Sequence, residues 1–154
     1  MVEWDRAKRI TILFGGLNKE RLVSVASAQA LHRALPDAEL WFWDADDQVY
    51  PTQPSALLGH GRPFEEAFQP GSASLGRLTQ ALDQAKAENR VLLLGLHGGT
   101  AENGELQAMC ELRGIAFTGS GSASSDLAFD KVAGKRLAAL AGGAVAGGIP
   151  LDHL

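Results

Sequence analysis

A single cysteine, Cys110, rules out an internal disulfide and a cysteine-built zinc site. Basic residues form no block and are outnumbered, 14 Lys and Arg against 18 Asp and Glu. The resulting formal net charge of −4 argues against nucleic acid or an anionic membrane surface as partner. No apolar run is long enough to cross a bilayer. The polar start MVEWDRAKR leads only into a short apolar stretch, unlike a secretory signal, and a cytoplasmic location is the expectation. No internal repeat is visible. What the chain does have is glycine, 18 of them, mostly between predicted elements or in the tail. Its 154 residues suffice for one domain with one core.

The pattern alternates strand and helix. RITILF, from Arg9 to Phe14, is a short apolar and β-branched run stopped by Gly15 and Gly16, which predicts a buried strand. Asn18 is placed to cap the helix that follows, with Leu22, Val23, Ala26, Ala30, Leu31 and Ala34 on its sheet-facing side. ELWFW, Glu39 to Trp43, reads as a second strand whose two tryptophans share a face and are expected to pack under the next segment. That segment, 44–73, holds four of the six prolines and reads as an irregular insertion with room for a hairpin. Helical spacing resumes at Leu75, Leu78, Leu82 and Ala85 and leads to a strand at Val91 to Gly95. A helix from about Gly104 to Arg113 buries Leu106, Met109 and Cys110. The strand IAFTG, a helix from near Ser122 and another from Lys131 to Ala141 complete the series, and residues 142–154 read as a tail. Alternation of this kind predicts an α/β fold with a doubly wound, Rossmann-like parallel sheet, whose ligands sit beyond the carboxyl ends of the strands.

Three glycine-rich polar loops leave those ends: GGLNKE, HGGTAENG and TGSGSAS. None fits G-x-G-x-x-G or the phosphate loop G-x-x-x-x-G-K-[ST]. Glu20 suits two roles, a carboxylate steadying the helix start or a receptor for a ligand ammonium. His97 either bonds to loop backbone or faces a ligand across the space left by Gly98 and Gly99. No second ligand stands at metal spacing from it, so no metal site is predicted. Glu102 and Asn103 fit helix entry, with Asn103 as cap. The turn TGSG holds an anion or simply turns. Lys131 and Lys135 have the spacing of a solvated helical face, and His32, His60 and His153 carry no signal.

Taken together, ILFGGLNKERLVSVAS, LHGGTAENGELQAMCELRGIAFTGSGSASS and LAFDKVAGKRLAA resemble the D-alanine–D-alanine ligase family, in its amino-terminal, pre-ATP-grasp domain. The three blocks stand in the family's order and cover roughly Arg9 to Leu140 apart from the insertion. The resemblance implies that residues 1–141 form that domain and that 142–154 lead towards an absent ATP-grasp fold. It implies an ATP- and magnesium-dependent ligase of peptidoglycan precursor synthesis when full length. There ATP phosphorylates the carboxylate of one D-alanine, and the amine of the second attacks it. Glu20 would hold the first D-alanine's ammonium. Ser24 and His97 would lie beside the same substrate as further catalytic-site residues. Val23, Gly98 and Gly99 would border it, and Lys131 would approach the nucleotide phosphates. A homodimer is implied for the full-length form, with no bound cofactor expected on this part alone. Asn103 stands where the family more often has Asp, and Ala101 where it more often has Gly; the insertion has no alignable counterpart. The competing expectation is a stand-alone Rossmann-like module that binds a small ligand or dimerises without catalysis.

Overall fold

A computed structural model describes residues 9–148; the start of the chain, His153 and the end of the tail lie outside it. The elements are β1 (Arg9–Gly15), α1 (Arg21–Ala34), β2 (Glu39–Trp43), β3 (Val49–Thr52), α2 (Pro54–Gly59), α3 (Leu78–Ala87), β4 (Arg90–Leu94), α4 (Glu105–Arg113), β5 (Ala116–Phe117), α5 (Ser122–Phe129) and α6 (Lys131–Leu140). A single 3-10 turn, Gly99–Ala101, precedes α4. The sheet order is β3-β2-β1-β4-β5. β1 pairs in parallel with β2 and with β4, and β4 with β5; only the edge strand β3 runs antiparallel, against β2. From β1 the chain winds outward to one side and then returns to add β4 on the other. The switch point therefore lies between the carboxyl ends of β1 and β4, where an open α/β sheet parts to admit a ligand.

Period-two alternation divides the core into two layers. Leu13, Trp41, Trp43 and Leu92 point to one face and are covered by α3 and α4 through Leu78, Leu82, Leu106 and Cys110. Ile12, Phe14, Leu40 and Phe42 point to the other, against Val25 and Ala28 of α1, Leu57 of α2 and Phe68 of the insertion. The tryptophans thus pack beneath α3 and α4, contrary to the expectation that they lie under the proline-rich segment. Phe42 does that instead. It is in register with Phe14, with ring centroids 5.4 Å apart, and Phe68 lies 5.0 Å from it. Such aromatic pairs add about 0.5–1.5 kcal/mol each beyond their burial, and the Phe42–Phe68 pair helps hold this irregular segment on the sheet.

The insertion does contain a hairpin. Asp44 Oδ1 accepts from the backbone N–H of Asp46 at 2.9 Å and of Gln48 at 2.8 Å, which closes the turn from β2 into β3. Gln29 Nε2, buried on α1, donates to Leu57 O at 2.9 Å and His60 O at 2.8 Å and so ties the rest of the insertion to the helix.

Helix α1 is rotated from its predicted orientation. Its buried residues are Ser24, Val25, Ala28, Gln29 and His32, while Val23 on the predicted face is 42% exposed. Polar side chains with strong backbone partners displaced the apolar stripe. α5 and α6 bury no residue among those described. No helix among the described residues is long and apolar enough to cross a membrane.

Candidate functional site

The loop after β1 and the loop after β4 meet at the switch point and line a small cavity of about 150 Å³. Its walls include Gly16, Asn18, Trp43, His97, Gly98 and Gly99. Gly98 is buried at φ +67, ψ 167, a conformation essentially closed to residues with a Cβ. A Cβ built there would stand 2.8 Å from the Glu20 carboxylate. Glu20 therefore lies directly over Gly98, next to His97, and forms no ion pair among the described residues. It is the N-cap of α1 rather than a first-turn residue.

Asn18 organises this arrangement. Its Oδ1 accepts from the Glu20 N–H at 2.8 Å, and its Nδ2 donates to His97 O at 3.2 Å. It thus closes the turn before α1, two residues ahead of the cap position held by Glu20, and stitches the two loops together. Asn103 acts in the same way before α4: Oδ1 accepts from Glu105 N–H at 3.0 Å, while Gly104 occupies the cap position. Ser27, which sequence reasoning missed, holds the His97 ring through a 2.8 Å bond to Nε2. Among the described residues no hydrogen bond reaches His97 Nδ1. The missed signal was the i,i+3 spacing of Ser24 and Ser27, which puts both hydroxyls on the side of α1 facing the loops.

Ser24 is placed differently from the expectation. It is fully buried. Its Oγ accepts from Gly15 N–H at 2.7 Å and donates to Gly95 O at 2.5 Å. The hydroxyl is used up in clamping the ends of β1 and β4, so it positions the site and has no surface with which to touch a substrate. Ser24→Ala is expected to leave a buried N–H and a carbonyl unpaired and to cost about 2 kcal/mol of stability. Urea denaturation checks this, and a midpoint equal to wild type would show that the clamp is idle. Gly15 accepts this geometry at φ +101, where a Cβ would collide with the Trp43 carbonyl oxygen.

Lys131 lines a neighbouring cavity of about 340 Å³ with Glu102, Gln107, Ser120, Ser124 and Ser125. Ala101 borders both cavities, so the hollow lined by His97 and the one lined by Lys131 adjoin, while Glu20 lines neither and stands over Gly98. Lys131 is exposed, and Asp130 before it caps α6 by accepting from Val132 and Ala133 N–H at 2.8 and 3.0 Å. These two backbone donors hold the Asp130 carboxyl below its ordinary pKa, with Arg136 adding to the effect. Val23 lines neither cavity. Among the described residues no group of three His, Cys, Asp or Glu is placed to hold a metal ion.

The family model described as the D-ala D-ala ligase N-terminus matches residues 9–120. The chain belongs to the D-alanine–D-alanine ligase family. A member of that family, the D-alanine–D-alanine ligase of Citrifermentans bemidjiense, is 34% identical over 143 residues, covering 92% of this chain and 37% of the relative. That of Syntrophotalea carbinolica is 33% identical, over 84% of this chain and 33% of its own length. The solved D-alanine–D-alanine ligase of Helicobacter pylori superposes on 88% of this chain and 45% of its own with a TM-score of 0.69 at 25% identity. The VanG D-Ala:D-Ser ligase of Enterococcus faecalis does so over 88% of this chain and 42% of its own with a TM-score of 0.63, also at 25% identity. The chain thus spans a little over a third of the length of the first ligase and a third of the second.

Proposed function

We propose that this chain is the substrate-holding amino-terminal part of an ATP-dependent ligase that joins two D-alanines. The observation that carries the reading is the unpaired Glu20 carboxylate held over Gly98 beside His97, at the sheet's switch point. Glu20 receives the ammonium of the first D-alanine. Gly98, lacking a side chain, lets the Glu20 carboxylate stand over the loop, and Gly99 borders the substrate's methyl group. His97, its ring fixed by Ser27, presents Nδ1 towards the carboxyl. Fixing the substrate at both polar ends turns its carboxyl towards the adjoining cavity, where orientation alone lowers the barrier to attack. Lys131, flanked by serine hydroxyls, supplies positive charge where phosphate oxygens would gather.

ATP supplies the phosphoryl group that activates the carboxylate, and magnesium offsets the charge of the phosphates. The chain spans about a third of the length of its ligase relatives, and both are assigned to the remainder of such a ligase. By itself the 154-residue polypeptide is expected to bind substrate without turning it over.

A ¹H–¹⁵N NMR titration of this chain with D-alanine, and with L-alanine as control, tests the reading. D-alanine is expected to shift the Gly98 and Gly99 amides saturably, with a Kd in the millimolar range, about −4 kcal/mol, as suits an open site. L-alanine is expected to shift them more weakly. Amides that do not move with D-alanine would remove the proposal, and so would D-alanine-dependent ADP release by this chain alone remove its claim of inactivity.

A further inference from the structure

A larger cavity, about 420 Å³, opens on the far side of the α1 amino terminus, between that helix, the β2–β3 turn and the insertion. Its floor is apolar, built of Val25, Phe42 and Phe68. Its rim carries charge of both signs: Arg21 from α1, and Asp44 and Asp46 from the turn after β2. None of these three forms an ion pair with another or with any other described residue. Unpaired charges are ordinary on a protein surface. Here, though, opposite charges share one concave wall over an aromatic floor without neutralising each other. Arg21 spends a single N–H, from Nη1, on Asn18 O at 2.9 Å, which anchors its stem and leaves the rest of the fork open. Asp44 has one oxygen occupied by the turn N–H groups, whereas the Asp46 carboxylate accepts no hydrogen bond among the described residues. The Tyr50 hydroxyl completes the rim beside them. Partial loss of water, followed by the neighbouring Asp44 and Asp46 charges, raises its pKa.

We propose that this cavity is a second binding site, distinct from the Glu20–His97 site, for a small zwitterion of dipeptide size. The ammonium sits against Asp46 and Asp44, the carboxylate on Arg21, and a small apolar side chain on Phe42 and Phe68. A simple amine leaves the guanidinium unsatisfied, and a simple acid faces two carboxylates, so one molecule carrying both charges fits the wall best. The volume lies in the range of small-molecule sites, and a free amino acid leaves most of it to water.

The test is a ¹H–¹⁵N NMR titration of this chain with alanyl-alanine, in its L,L and D,D forms, beside the N-acetylated dipeptide and the dipeptide amide. The unmodified dipeptide is expected to shift the amides of Asp46, Tyr50, Gly71 and Ser72 saturably. Each capped form is expected to bind at least tenfold more weakly. Arg21→Met is expected to abolish the preference for the dipeptide over its amide while keeping the preference over the acetylated form. Asp46→Asn, at an exposed turn side chain that leaves the fold intact, is expected to do the reverse. Shifts confined to Gly98 and Gly99, no shifts at all, or affinities indifferent to both caps would each overturn the proposal. Because the two sites report through different amides, loss of D-alanine binding at Gly98 does not decide this one.

Discussion

Glu20→Gln is expected to lower kcat/KM for the first D-alanine by about 3–5 kcal/mol, some two to three and a half orders of magnitude, in a complete ligase built on this domain. The same substitution is expected to weaken D-alanine binding to the isolated chain only a few-fold. The difference follows from solvent. Glu20 is exposed here, and an ion pair in water contributes at most about 1 kcal/mol. A complete ligase that closes over the substrate removes that water, so an ammonium without its carboxylate is then left buried and unpaired. Glutamine preserves the size of the side chain and the bond from Glu20 N–H to Asn18, so the loop keeps its shape. Steady-state kinetics on the complete enzyme, set beside titration of the isolated chain, measure both quantities. An unchanged KM and kcat in the complete enzyme would take Glu20 out of the site. A loss of equal size in the two settings would show that closure plays no part.

The sequence made the strand–helix alternation legible because each apolar run ended in glycine or acidic residues. It pointed to the switch point as the candidate site because glycine-rich loops leave the carboxyl ends of β1 and β4, and these two line the cavity there. What it hid were contacts made by polar side chains turned inward. Ser24, Gln29 and His32 are buried on α1, and a hydrophobic pattern cannot announce a face selected by backbone partners such as Gly15 N–H and Gly95 O. Ser27 escaped for the same reason, since its partner is 70 residues away. Asn18 was read locally as a helix cap, yet half its work is the long-range bond to His97 O. Alternation along ELWFW correctly paired Trp41 with Trp43. Which face the insertion would cover depended on Phe68, an isolated aromatic in a stretch with no period.

Arg90→Met is expected to cost about 3 kcal/mol and to lower the melting temperature by about 10 °C. Arg90 sits at the amino end of β4, opposite the site, with its side chain 4% exposed. It binds Glu39 at 2.8 Å and Glu88 at 2.5 Å, donates to Thr11 Oγ1 at 2.7 Å, and lies 4.7 Å over the Trp41 ring. Methionine keeps an apolar stem but loses every donor and the cation over the ring, worth about 0.5–2 kcal/mol. The two carboxylates are partly exposed, 45% and 31%, and recover water, which keeps the loss below the sum of its parts. Thr11 is fully buried and cannot, so adding Thr11→Val to Arg90→Met is expected to restore about 1–2 kcal/mol by removing the stranded hydroxyl. Acid adds a second signature. The bond from Gln84, then Arg90 and Arg9, hold Glu88 below its ordinary pKa of 4.5. Its contribution is therefore complete above that value and lost as pH falls through the lowered one. Arg90→Met removes only part of that depression, so its stability is expected to fall less steeply with acid than wild type but still to fall. Thermal melts from neutral pH down to about pH 3 span the ordinary carboxylate range. A variant melting with wild type at neutral pH would show that this buried guanidinium only offsets its own desolvation.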